Sequence, residues 1–129
     1  MANARKAAVN ALLSIDKDGC YSNIAVDNAI KNAKLEGADA SLCSALIYGV
    51  LERKNALDYF ISKCSSKPIN KLSLFVVEVL RISVLQLKYM DKIPSFAAIN
   101  EAVNLIKKSK EHYASGFVNA VLRAVIKQN

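Results

Sequence analysis

With 129 residues, the chain fits one domain able to bury roughly two-thirds of its unfolded surface. At 53% hydrophobic residues it is no disordered tail, and four glycines with two prolines are too few for the turns of an all-β fold. Eighteen Lys and Arg against eleven Asp and Glu leave +7 at pH 7, a balance that attracts polyanions such as nucleic acid or merely keeps a helical bundle in solution.

The spacing of Val9, Leu12 and Leu13 predicts a helix from Asn3 to about Ile15, with Arg5, Lys6 and Asn10 on another side. Arg5 and Lys6 occupy its first turn, where the helix dipole disfavours cations. Beside free backbone N–H groups they would form a cationic, phosphate-binding corner; a solvated N-terminus fits the spacing equally well. Asp18-Gly19 breaks this run. Ser22 is placed to cap a second helix with Ile24, Ala25, Ala29, Ile30 and Ala33 inward, which Gly37 ends. Asp39 caps a third, whose stripe Leu42, Cys43, Leu46, Ile47, Val50 and Leu51 loosens at Glu52-Arg53-Lys54. Asn55 and Asp58 have the spacing of a capping box, which would restart a shorter helix with Leu57, Phe60, Ile61 and Cys64 inward.

Ser65-Ser66-Lys67-Pro68 is a loop. From about Lys71 to Met90 the chain is apolar over most of a helix circumference, so this helix is expected to be the central element. Lys71, Glu78, Arg81 and Lys88 lie along one narrow stripe of it, and Arg81 must either reach the surface or meet a carboxylate, Glu78 being on the same stripe. Asp91 to Pro94 ends the helix. Ser95 caps the next, running through Ile106 and using Phe96, Ile99, Val103 and Ile106, while Lys107, Lys108 and Lys110 complement its C-terminal dipole. A last helix from about Gly116 buries Phe117, Val118, Val121, Leu122 and Val125. The sum is a compact all-α bundle of six to seven helices, with no interdomain linker.

Catalysis finds little to use. The single His112 lies in a charged, exposed segment, and no nucleophile elbow or glycine-rich nucleotide loop occurs, so no catalytic residue is assigned. Cys20, Cys43 and Cys64 are too dispersed for a metal site, and Cys43 and Cys64 read as small buried hydrophobes. Glu78 and Arg81 interrupt the most apolar segment, which excludes a membrane span, and no signal-peptide pattern opens the chain; a cytoplasmic location is expected. Asn100 and Asn119 interrupt apolar helices, either to bond between helices or to present amides to a base. Tyr21, Tyr48, Tyr59, Tyr89 and Tyr113 offer stacking platforms for unpaired bases, although Tyr48 and Tyr59 read more as core edges and Tyr113 as the most exposed.

Several segments, in order, carry a family likeness: Ala4-Arg-Lys-Ala-Ala-Val-Asn-Ala-Leu-Leu13, Tyr21-Ser-Asn23, Ile47-Tyr-Gly-Val-Leu-Glu-Arg-Lys54, Val79-Leu-Arg-Ile82, Tyr89-Met-Asp-Lys-Ile-Pro94, Ala98-Ile-Asn-Glu-Ala-Val103 and Phe117-Val-Asn-Ala-Val-Leu-Arg123. Together they resemble the NusB-like RNA-binding domain. This domain occurs alone as a transcription antitermination factor and as the N-terminal module of a small-subunit rRNA cytosine-5 methyltransferase. The Tyr-Ser-Asn, Gly-Val-Leu-Glu-Arg and Val-Asn-Ala-Val-Leu-Arg segments are closer to the methyltransferase module; the free factor typically has Gly at the position of Ala120 and more arginines ahead of the first helix.

The resemblance implies that residues 1–129 are one NusB-like domain of two packed helical subdomains around the central apolar helix. It implies a role in positioning rRNA for a catalytic domain that lies outside this chain and uses S-adenosylmethionine there, with no cofactor here. The implied RNA-binding residues are Arg5 and Lys6, which match the family's basic start, with Asn119 and Arg123 near that surface. Implied partners are rRNA, the methyltransferase domain itself and a small-subunit ribosomal protein, with no membrane. A free antitermination factor and a helical protein–protein adaptor are the alternatives.

Overall fold

The structure is a computed structural model and describes residues 3–128. Among these residues the fold is all-α: α1 (Ala4–Asp18), α2 (Ser22–Asn32), α3 (Gly37–Cys64), α4 (Leu74–Tyr89), α5 (Ser95–Lys107) and α6 (Ser115–Lys127). Short 3₁₀ turns at Ile69–Lys71 and His112–Ala114 precede α4 and α6. The expected third and fourth helices run on as α3, two helical arms that meet at a kink at Arg53 (φ −117°, ψ 21°). The expected restart is present: a second helical arm begins directly after Arg53, with Asn55 in its first turn. The break is absorbed at a single residue within the segment where the apolar stripe loosens.

The chain divides into two compact units at Glu52–Arg53. In the first unit, α1 packs on α2. Asn3 caps α1 in extended backbone, its Oδ1 accepting from the Lys6 amide at 2.9 Å. The helix runs to Asp18 and stops at Gly19, whose φ of 67° is the left-handed conformation that glycine adopts at little cost. Ser22 does not cap α2; Tyr21 holds the cap position without a side-chain bond, and the serine is already helical. The core of this unit is Ala8, Val9 and Leu12 of α1, Ala25 and Val26 of α2, and Cys43, Leu46, Ile47 and Val50 of α3.

In the second unit α4 is central, packing on both α5 and α6. Its N-cap is Ser73, whose Oγ accepts from the Val76 amide at 3.2 Å, so Lys71 lies in the preceding 3₁₀ turn and not on the helix. Every residue from Val76 to Gln86 is buried, polar ones included. Ser83 Oγ donates to the Val79 carbonyl at 2.7 Å and Gln86 Nε2 to the Ile82 carbonyl at 2.8 Å. Both groups are thus satisfied within the helix's own previous turn. Leu57 and Ile61 of α3, Ile99, Leu105 and Ile106 of α5, and Val118, Val121, Leu122 and Val125 of α6 complete this core. Phe96 departs from expectation: it stands in the first turn of α5, 69% exposed.

Arg81 is buried and meets two carboxylates. Its Nε and Nη2 donate to Asp58 Oδ1 and Oδ2 at 2.8 and 2.9 Å, a fork on α3, while Nη1 donates to Glu78 Oε1 at 3.3 Å. Burial by itself would lower the Arg81 pKa; the Asp58 hydrogen bonds and the Glu78 and Asp58 charges outweigh it and raise the guanidinium above its ordinary value. Arg81 is a permanent cation committed to structure.

Candidate nucleic-acid interface

At the opening of the first unit, the first turn of α1 holds no acidic residue. Arg5 is half-buried and Lys6 exposed. The Asn3 cap already occupies the Lys6 amide, so a phosphate here would meet the Lys6 ammonium and not that N–H. Along the same face α1 and α2 enclose a groove of about 340 Å³. Lys6, Asn10 and Ser14 line one wall, Asn28 and Asn32 the other, and alanines the floor. The concavity beside the opening helix is thus rimmed by amides with one cation at its edge, where the sequence suggested a cationic corner. Neutral amides offer donors and acceptors to polar ligand edges, and the volume falls within the ~300–1,000 Å³ range of ligand pockets.

In the second unit Asn119 and Arg123 come together on α6. Arg123 Nε donates to Asn119 Oδ1 at 3.2 Å across one helical turn, with Arg123 exposed. The asparagine orients the arginine, whose guanidinium keeps further N–H donors in its planar fork. Asn119 makes this bond within its own helix, not to α5. Lys107, Lys108 and Lys110 are all exposed at the end of α5.

Tyr59, read as a core edge, is 59% exposed, and Tyr89, at the end of α4, is 41% exposed. Each carries a cation over its ring: Lys63 Nζ lies 5.2 Å from the Tyr59 centroid and Arg53 Cζ 4.6 Å from that of Tyr89. Lys88 Nζ sits 5.0 Å over Phe60, which meets Tyr59 edge-on at 6.1 Å. Only the Tyr59–Lys63 spacing of four residues could have signalled any of this. Tyr48 is 43% exposed, and Tyr113 is exposed, as expected.

Charge is divided unevenly. Up to Glu52 the chain has five Lys and Arg against six Asp and Glu; from Arg53 onward it has thirteen against five. The whole positive excess belongs to the second unit.

Groups suited to bond-making are few. Burial raises the Cys43 thiol above its usual pKa, the opposite of an activated nucleophile. Gly19 and Gly37 sit singly at helix boundaries, and Gly49 and Gly116 lie inside helices, so among the described residues no two glycines share a loop. Among the described residues, no group of three or more His, Cys, Asp or Glu is placed to hold a metal ion, and no helix is long and apolar enough to cross a membrane.

Over residues 2–127 the chain matches the NusB family. It belongs to that family. It is 37% identical over 123 residues to the Bacillus subtilis protein named "Probable ribosomal RNA small subunit methyltransferase B", covering 95% of this chain but 27% of the relative. It is 34% identical over 120 residues to the B. subtilis transcription antitermination protein NusB, covering 92% of this chain and 88% of that one. The NusB fold is shared with a crystal structure of antitermination factors NusB and NusE in complex with dsRNA, at TM-score 0.85 and 25% identity, covering 96% of this chain and 93% of that one. The chain thus spans about a quarter of the length of its methyltransferase relatives and most of its antitermination relative.

Proposed function

We propose that this NusB-family domain binds RNA, and that it serves as the rRNA-positioning module of a small-subunit rRNA cytosine-5 methyltransferase. Family membership over residues 2–127, with relatives that act on or with RNA, is the observation that carries this reading. The 37% identity to the methyltransferase relative and the closeness of the Tyr21-Ser-Asn23 and Val118-to-Arg123 segments to that branch support the enzyme context. The chain contributes grip and placement: Arg5 and Lys6 neutralise phosphates beside the α1–α2 groove, and Asn119 holds Arg123 ready for a further contact. Methyl transfer, with S-adenosylmethionine, belongs to a catalytic domain beyond these residues.

Fluorescence anisotropy of the protein with a labelled single-stranded rRNA fragment, repeated across salt concentrations, tests the reading. With about three to five phosphates engaged, at ~0.7 per contact, the log–log slope lies near −2 to −4. The double variant Arg5→Ala, Lys6→Ala should flatten the slope by about 1.4. Wild-type binding with an unaltered slope in the variant would remove both residues from the interface; no binding at all would remove the function.

Coverage favours a second reading. The chain spans 88% of an antitermination relative, and a structural neighbour is seen with NusE. A free antitermination factor would retain a NusE-like small-subunit ribosomal protein in a pull-down by the purified chain; an empty pull-down counts against it.

A further inference from the structure

The cation–aromatic cluster of the second unit lies outside Arg5, Lys6, Asn119 and Arg123. We propose that it is a stacking surface for unpaired bases of single-stranded RNA. This rests on the reading of the domain as RNA-binding and adds to it a second contact region with its own chemistry.

The cluster joins the second arm of α3 to the C-terminal turn of α4. Arg53 reaches from α3 over Tyr89 of α4, and Lys88 of α4 reaches over Phe60 of α3. Lys63 covers Tyr59, which abuts Phe60. Two crossing contacts between helices and two within α3 link these side chains into one cluster. Holding the fold together is a poor explanation for the tyrosines. At 59% and 41% exposure they bury little area, and an exposed cation–π pair contributes only ~0.5–1 kcal/mol. A leucine or lysine would serve a helix surface as well.

Recognition explains them better. A cation over one side of each ring leaves ring surface facing water. Bases stack on such aromatics and on guanidinium planes, while the phosphates linking them pair with cations at the same spacing as the chain advances. An acidic peptide would need the cations but not the rings. A duplex keeps its bases stacked inside and offers only phosphates. The positive excess of this unit, thirteen basic residues against five acidic, suits any polyanion; the exposed rings narrow the choice to one with free base faces. Asp58, the carboxylate next to Tyr59, is held by Arg81 and does not neutralise the patch's cations.

The test is a cycle of protein and RNA changes. Wild-type protein and Tyr59→Leu, Tyr89→Leu are titrated with a labelled single-stranded oligoribonucleotide of mixed sequence, and with the same strand carrying abasic sites. Each lost stack should weaken binding of the intact strand by about 5- to 150-fold. The abasic strand should bind wild type and variant alike, and Tyr59→Phe, Tyr89→Phe, which keeps both rings, should restore wild-type affinity. Both tyrosines are exposed, so the leucine variant should melt like the wild type. Should the intact strand bind the leucine variant as tightly as the wild type, the stacking surface is overturned while RNA binding through α1 stands. It is overturned equally if polyglutamate competes as well as RNA and the rings make no difference. If wild type binds neither strand, the RNA-binding reading itself fails, and this inference with it.

Discussion

Asp58 is the residue on which the second unit's buried charge depends. Its fork on Arg81 lets a guanidinium sit at 6% exposure beside a fully buried Glu78. Removing one partner of such a group strands the others in a low dielectric. Asp58→Ala should cost about 3 kcal/mol by urea denaturation, the low end for buried pairs because Asp58 itself is partly wet. A cost near zero would show that water replaces the carboxylate. Half of this triad was legible: Glu78 is one turn from Arg81 on the same helix, and their pairing follows from spacing. Asp58 was not, because it lies 23 residues away and the same residue completes a plausible capping box. Cys43 offers a second test. Its buried thiol has a raised pKa, so the folded state keeps a proton that the unfolded chain releases. The associated stability is complete below the unfolded thiol's pKa and declines as pH climbs from there toward the folded value. Wild type should lose stability above about pH 9 more steeply than Cys43→Ala, measured by urea midpoints across the alkaline range. Parallel pH profiles would count against it.

Helices were easier to read than their ends. Apolar repeats located all six, and the loosened stripe at Glu52-Arg53-Lys54 marked the place where α3 breaks. What spacing could not supply was the manner of the break, since one residue with altered dihedrals leaves too little sequence trace to distinguish a kink from a loop. Phe96 shows another limit. Its spacing to Ile99, Val103 and Ile106 is that of a buried stripe, but side chains point back toward a helix's N-terminus. In the first turn of α5 that direction carries the ring past the end of the helix. Tyr59 fails for a simpler reason: it lies two residues from both Leu57 and Ile61, which puts it on the far side of the helix from them. Gly19 provides a test of helix termination. A β-carbon added there meets nothing within 4 Å, so Gly19→Ala probes the backbone alone. It should destabilise the protein by roughly 1–2 kcal/mol through the left-handed φ of 67°. A smaller loss would mean that the α1 terminus relaxes to another cap.

For the molecule as a whole, the uneven charge predicts where polyanions gather. A double variant Lys107→Gln, Lys108→Gln should elute from immobilised heparin at lower salt than Arg5→Ala, Lys6→Ala, which removes the same number of cations, because the basic excess lies from Arg53 onward. The reverse order would show that local geometry at α1 outweighs the summed field. Net charge left a polyanion partner and a merely solvated bundle equally open; its distribution became visible only once the boundary at Glu52–Arg53 was known, and the amide-lined groove needed α1 and α2 side by side. The polar residues of α4 bear on ancestry. Its buried serine and glutamine each donate to a carbonyl of their own helix, and much of what surrounds it is aliphatic. Packing of that kind can be met by many combinations of aliphatic side chains. Lineages could therefore replace most of the outer residues while the architecture persisted, which accounts for a backbone that superposes closely on a protein sharing only a quarter of its residues.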